Sequence, residues 1–202
     1  MEQYTAIQEI KTANTKYDLH ENIPARWSPR MFSTEPLGLE ELNALFEAAR
    51  WAASSNNEQP WRFIYAFKGT PAYEKMVRCL SDFNKKWARN APVLLLTAIK
   101  EKFDSGKSNY HALHDLGLAM GNMTQEAQSR NIALHHMAGV DWQKAQEIFG
   151  VPEDYHIATA VAAGFYGGDA SELPENLEKM ERSHRKRLAL EDIVFKGSWP
   201  AR

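Results

Sequence analysis

Ser54-Ser55-Asn56-Asn57-Glu58-Gln59-Pro60-Trp61 divides two segments of different periodicity. Before it, Leu39, Leu42, Phe46 and Ala49 recur at helical spacing with Glu40, Glu41 and Glu47 between them, which predicts an amphipathic helix ending near Ser54. After it, Arg62 to Phe67 reads as a strand. Serine and asparagine end helices and start turns because their side chains hydrogen-bond nearby backbone. The same hydroxyls and amides, gathered where two elements meet, can also answer a heterocycle edge that presents one N–H donor between two carbonyl acceptors. Both readings of the segment hold together.

Outward from this segment, helices and strands follow one another without repeats or low-complexity linkers. Residues 3–17 predict an initial helix, with Ile7 and Ile10 three apart. Further strands fall at Val93 to Ile99, Ile132 to Met137 and Ile157 to Phe165. Tyr110 to Arg130 reads as a long helix with Gly117, Met120, Gly121 and Thr124 on one side, small enough for another helix to approach. Asp141 can cap a helix that Gly150 and Pro152 terminate, and Pro174 opens another through about Glu181. The mixture predicts an α+β fold, and 202 residues with 44% hydrophobic content predict one domain over 1–202.

Two basic stretches flank this body. In Arg26-Trp27-Ser28-Pro29-Arg30, Pro29 disfavours the helical region for Ser28, so Arg26, Ser28 and Arg30 alternate onto one face of an extended segment. Two guanidinium forks and a hydroxyl suit a phosphate, although an isolated basic turn on a solvated surface has the same residues. Near the other end, Arg182-Ser183-His184-Arg185-Lys186-Arg187 could be a solvated tail. Leu188, Leu190, Ile193, Val194 and Phe195 after it suggest an anchored segment instead.

In order and spacing these pieces resemble the FMN-dependent nitroreductase family, which carries Arg-x-Ser-x-Arg/Lys near the start, Pro-Ser-Ser-x-Asn-x-Gln-Pro-Trp after the next helix and a basic x-Arg near the end. Ala53 stands where the family usually has Pro, and His136-Met137-Ala138-Gly139-Val140 where it usually has Pro-Ile-Gly/Glu-Gly-Phe. The resemblance implies a central, mostly antiparallel sheet wrapped by helices in an interlocked homodimer. It implies FMN held by Arg26, Trp27, Ser28, Arg30, Ser54, Ser55, Asn57, Gln59, Asn84, Met137, Ala138, Gly139, Arg185 and Arg187, with the backbone N–H of Ala138 near flavin N5. Arg26, Arg30, Arg185 and Arg187 would put four cations near one phosphate, with Lys186 turned away. Trp87, Phe103, Tyr110 and His111 fall where relatives build the acceptor pocket. The implied activity is ping-pong hydride transfer from NADH or NADPH to a nitroaromatic, quinone or related acceptor, with no essential protein acid or base. A flavin reductase feeding a partner monooxygenase is the alternative within the same fold.

Other classes have less support. A net charge of -2 argues against a nucleic-acid or anionic-membrane surface. One cysteine, Cys79, permits no internal disulfide and no cysteine-based zinc site. No apolar run reaches transmembrane length and the first twenty residues lack the apolar centre of a signal peptide, so the expected compartment is the cytoplasm. His111, His114 and Asp115 could share a helix face and His135-His136 adds two imidazoles, the basis for a metal hydrolase or a non-redox binding protein. No glutamate sits between the histidines as in a zincin, and the expected metal is none. Without a Gly-x-Gly-x-x-Gly after a strand, a nicotinamide cofactor must dock transiently.

Overall fold

Val93–Lys100 forms the strand around which the molecule is layered, β2. Its side chains alternate between two apolar clusters, Leu94, Leu96 and Ala98 entering one while Val93, Leu95 and Ile99 enter the other. A strand covered on both faces has no polar side to show, which explains its nearly unbroken apolar run. The computed structural model describes residues 2–200. The neighbours of β2 are β1 (Trp61–Phe67) and β4 (Tyr155–Phe165), and β3 (Ile132–Met137) pairs with β4. All pairings are antiparallel in the order β1-β2-β4-β3, so the expected mostly antiparallel sheet is wholly so here.

Helices cover both faces. Leu42 and Leu45 of α3 (Leu39–Arg50) and Met120 and Met123 of α6 (Ala112–Ser129) build one cluster. The other joins Ile7 of α1 (Glu2–Lys11), Tyr73 and Met76 of α4 (Pro71–Cys79), Trp87 of α5 (Asp82–Ala88), Ala145 of α7 (Trp142–Phe149) and Leu177 of α8 (Glu175–Glu181). One short helix remains, α2 (Asn22–Ala25).

Three expectations need correction. The first helix stops at Lys11 rather than 17, because the Thr12 hydroxyl and N–H both go to Gln8 O and the Ala13 N–H crosses to Pro24 O at 3.0 Å. Between β1 and β2 lie two helices that periodicity did not predict; both are too short for it but are capped by Thr70 and Ser81, whose hydroxyls accept from the Tyr73 and Asn84 N–H groups. The small-residue side of α6 also splits, since Met120 is buried whereas a Cβ on Gly117 or Gly121 would meet nothing within 4 Å. Among the described residues no helix of the same chain uses that approach.

Candidate functional site

Residues 26–30 alternate as expected, with Trp27 and Pro29 buried and Arg26, Ser28 and Arg30 half-buried. The Trp27 ring stacks on Tyr166 at 5.9 Å and the Trp27 backbone N–H donates to the Tyr166 hydroxyl, so this side chain is packed into the core. Arg26 Nη1 donates to Ser28 Oγ at 3.1 Å. Arg185 reaches across from the C-terminal run and donates to the carbonyls of Pro24 and Arg26, pinning the segment that carries Arg26. Its Nε is buried without a partner.

The charge balance here is uneven. Burial and then the Arg187 charge push the Arg26 pKa down; burial, Arg26 and Arg187 do the same to Arg185. Among the described residues, none of the carboxylates in ion pairs lies on Arg26, Arg185 or Arg187. Three crowded guanidinium groups without a counter-ion favour an anion with several acceptor oxygens. Arg30 behaves differently from the other three. Its N–H donates to Glu181 Oε1 at 3.0 Å and its Nη1 to Oε2 at 3.3 Å, and Glu181 is fully buried. Lys11 closes the same corner by donating to Met180 O and Ser183 O at 3.0 and 2.7 Å. The four-cation phosphate cluster implied by the resemblance is thus three clustered arginines and one that is already neutralised.

β3 brings a second group alongside. His135 Nδ1 lies 2.8 Å from Pro29 O, and because a carbonyl only accepts, Nδ1 carries the proton. Burial first, then the nearby Arg30 charge, outweigh that bond and push the His135 pKa down to about 4, so the ring is neutral at ordinary pH. The Thr124 hydroxyl donates to Met120 O and therefore accepts from His136 Nε2 at 3.2 Å. These contacts set the end of β3 beside the arginine segment. Past it, Met137 points into the core, Ala138 is exposed, and no hydrogen bond among the described residues uses the Ala138 N–H. Gly139 O accepts from Ser81 N at 2.9 Å and from Asn84 Nδ2 at 3.1 Å. A Cβ on Gly139 would fall 2.6 Å from Ser81 Oγ and 2.7 Å from Asn84 Nδ2, so a side chain there would displace the groups that hold the turn. Asn84 thus has a visible task in positioning this backbone.

The Ser54 segment forms a 3-10 turn over Ser55–Asn57, with Asn56, Asn57 and Gln59 all in the left-handed region at φ 52, 57 and 48°. Ser54 Oγ accepts from Gln59 N at 3.0 Å, and the buried Asp115 carboxylate accepts from Ser55 N at 3.1 Å. Such a conformation persists only where its surroundings hold it, and these two bonds do so. The Ser55 hydroxyl and the Asn57 amide have no hydrogen-bond partner among the described residues and remain available. Among the described residues no hydrogen bond joins the segment to Arg26, Arg185 or Arg187. The segment is tied to α6 at Asp115, whereas His136 is tied to α6 at Thr124, nine residues or about 13 Å further along the axis.

The histidines do not assemble a metal centre. His111, His114 and Asp115 share the wall of a cavity of about 290 Å³, yet among the described residues no three His, Cys, Asp or Glu side chains could hold an ion together. Trp87 is fully buried with its ring 4.2 Å from His135, which removes it from any acceptor pocket, whereas Tyr110 is exposed. Glu181 and Ser81 escaped sequence reading, and Asp115 stands in it only as a metal-ligand candidate and not as the acceptor for the Ser55 N–H. Their one signal was a polar residue at a helix end or on an otherwise apolar helix face.

The nitroreductase family profile matches residues 23–76 and 66–165. The chain belongs to the nitroreductase family. An uncharacterised 15.4 kDa protein of Mycolicibacterium smegmatis is 35% identical over 134 residues, covering 65% of this chain and 89% of that protein. A protein of Ralstonia nicotianae with the provisional name NADH dehydrogenase/NAD(P)H nitroreductase is 24% identical over 161 residues, 70% of this chain and 81% of that one. Among solved structures, one described as an oxidoreductase containing FMN superposes with a TM-score of 0.89 at 31% identity, covering 95% of this chain and 98% of that chain. A nitroreductase-type structure in complex with FMN from Desulfovibrio desulfuricans shares the fold at TM-score 0.70 and 20% identity, covering 92% and 100%. Among the described residues no helix is long and apolar enough to cross a membrane.

Proposed function

We propose that the protein is an FMN-dependent oxidoreductase of the cytoplasm that takes electrons from NADH or NADPH and passes them to nitroaromatics, quinones or related small acceptors in a ping-pong cycle. The observation that carries this reading is the group of three arginines without a carboxylate, next to an exposed turn whose Ala138 N–H is free. When bound, FMN supplies the hydride chemistry. The protein's own part is placement and charge. Arg26, Ser28 and Arg187 hold the phosphate, Arg185 keeps their segment in position, the Ala138 N–H donates at the ring, and Asn84 keeps that N–H aimed. Fixed donors of this kind stabilise developing negative charge without having to reorganise. No side chain needs to move a proton. The purified protein should be yellow, release FMN on denaturation and give parallel double-reciprocal plots. A colourless protein with intersecting plots would overturn the reading.

The active assembly is a homodimer in which each site draws on two chains. Support comes from the separation of the Ser54 segment from the arginines and from the open side of α6, where Leu113 is 61% exposed beside Gly117 and Gly121. The C-terminal stretch points the same way, because Leu188, Val194 and Trp199 are largely exposed. Such apolar surface is costly to leave in water, and a second copy would cover it. The test is complementation. One variant is altered at Arg26 and Arg187, the other at Ser54 and Asn57, and the two are unfolded and refolded together. A mixed dimer would hold one intact site, so activity should return in part; mixed dimers as inactive as either parent would mean that the sites are not shared.

A further inference from the structure

We propose that His135 is a positioning residue of the flavin site, the strut that sets the arginine segment at a fixed distance from the Ala138 N–H; this rests on the flavin reading above. Residues 26–30 lie in no strand, so side chains from elsewhere tie down their backbone. The Tyr166 hydroxyl accepts from Trp27 N, Arg185 donates to Arg26 O, Glu181 Oε1 accepts from Arg30 N, and His135 Nδ1 donates to Pro29 O at 2.8 Å. Of these side chains only His135 stands on β3, the strand that runs into the Ala138 turn.

Both ends of the strut are stiff. β3 is paired with β4 through Met137, opposite Ala160, so the strand is held up to the residue before Ala138. At the other end the proline ring fixes the Pro29 φ, and the bonds at Trp27 and Arg30 anchor the chain on either side. The fully buried Trp87 backs the imidazole, ring against ring at 4.2 Å. Trp87 belongs to α5, and Asn84 of the same helix donates to Gly139 O, just past Ala138. One helix therefore braces the strut and the turn together. Burial first, then the Arg30 charge, keep the His135 ring uncharged, so it donates without adding a cation beside Arg26 and Arg185. A ligand gripped by the arginines at one end and met by the Ala138 N–H at the other depends on the spacing between them, and small misplacements in such a site are costly.

The experiment measures FMN affinity of the full-length apoprotein in a double-mutant cycle of Arg26→Ala with His135→Phe, which keeps a flat ring against Trp87 but has no N–H. His135→Phe alone should weaken FMN about tenfold, and in the Arg26→Ala background by less than about threefold, because the strut acts through the segment that carries Arg26. His135→Asn, whose amide takes the place of Nδ1, should keep most of the wild-type affinity, whereas His135→Gln, whose amide lies at the place of Nε2, should not. That pair decides the matter should His135→Phe fold poorly. Equal losses from His135→Phe in both backgrounds would overturn the proposal, since His135 would then serve the fold at large. So would wild-type affinity in His135→Phe and His135→Gln, or His135→Asn as weak as His135→Gln. Each of these results leaves the flavin reading standing. Failure of the wild-type apoprotein to bind FMN would overturn that reading itself.

Discussion

Arg187→Ala and Arg26→Ala should each weaken FMN binding about tenfold to a hundredfold, while Lys186→Ala should leave it nearly unchanged. Each charge-assisted hydrogen bond contributes about 1.5–3 kcal/mol, and about 1.4 kcal/mol corresponds to a tenfold change in affinity. Lys186 differs from its neighbours because its carbonyl, not its charge, is engaged, accepting from Arg187 Nη1 at 2.8 Å. Arg185→Ala should weaken binding too, by a different route: it frees Pro24 O and Arg26 O and lets the Arg26 segment shift. Arg187→Lys should recover part of the affinity as a point charge, whereas Arg185→Lys cannot reproduce a fork that spans two carbonyls. Added salt should weaken wild-type binding by screening the exposed Arg187 more than the half-buried Arg26. Isothermal titration of the apoprotein measures all of these, and equal small effects across 185–187 would make the run a solvated tail.

Glu181→Ala should cost up to about 3–5 kcal/mol of folding stability, read from the urea midpoint, because it leaves the half-buried Arg30 without its counter-charge. Glu181→Gln should cost less, since an amide oxygen still accepts from the Arg30 N–H. The pH dependence separates charge from packing. Burial outweighs the Arg30 bonds and the Lys11 charge and holds the Glu181 carboxyl above its ordinary 4.5. The folded chain therefore binds this proton more tightly than the unfolded one. The contribution of this group is present in full below pH 4.5 and is lost as pH rises through the folded value. Glu181→Gln cannot titrate, and its stability curve should lack that decline. If Glu181→Ala unfolds at the wild-type urea concentration, the Lys11–Glu181–Arg30 corner does not hold the arginine segment in place.

The part of the site legible in sequence was local. Pro29 forces an extended segment, so Arg26, Ser28 and Arg30 had to share a face, and they do. Ser54 to Gln59 had to turn, and three left-handed residues make the turn. What could not be read was which of these polar groups another part of the chain would claim. Glu181 takes Arg30 from 151 residues away, Arg185 spends its fork on backbone carbonyls, and Tyr166 takes the Trp27 backbone and ring. None of these partners leaves a mark near the residue it meets.

The sequence by itself determined the four strands, α3, α6, the capped ends of α7 and the Pro174 start of α8, because hydrophobic period and the residues at helix ends act within one or two turns of the chain. It could not set the end of α1, which depends on Ala13 donating to Pro24, or reveal α4 and α5, which are too short for their period to stand out. Only the tertiary structure decided the order β1-β2-β4-β3, the neutralising of Arg30 and the commitment of Arg185 to backbone carbonyls, leaving Arg26 and Arg187 open to meet an anion. It also decided that the Ser54 turn and His136 near the end of β3 are tied to different points along α6. Long-range pairing and burial choose among partners that local sequence leaves equivalent, and that choice separates the arginines that brace the fold from those open to a ligand.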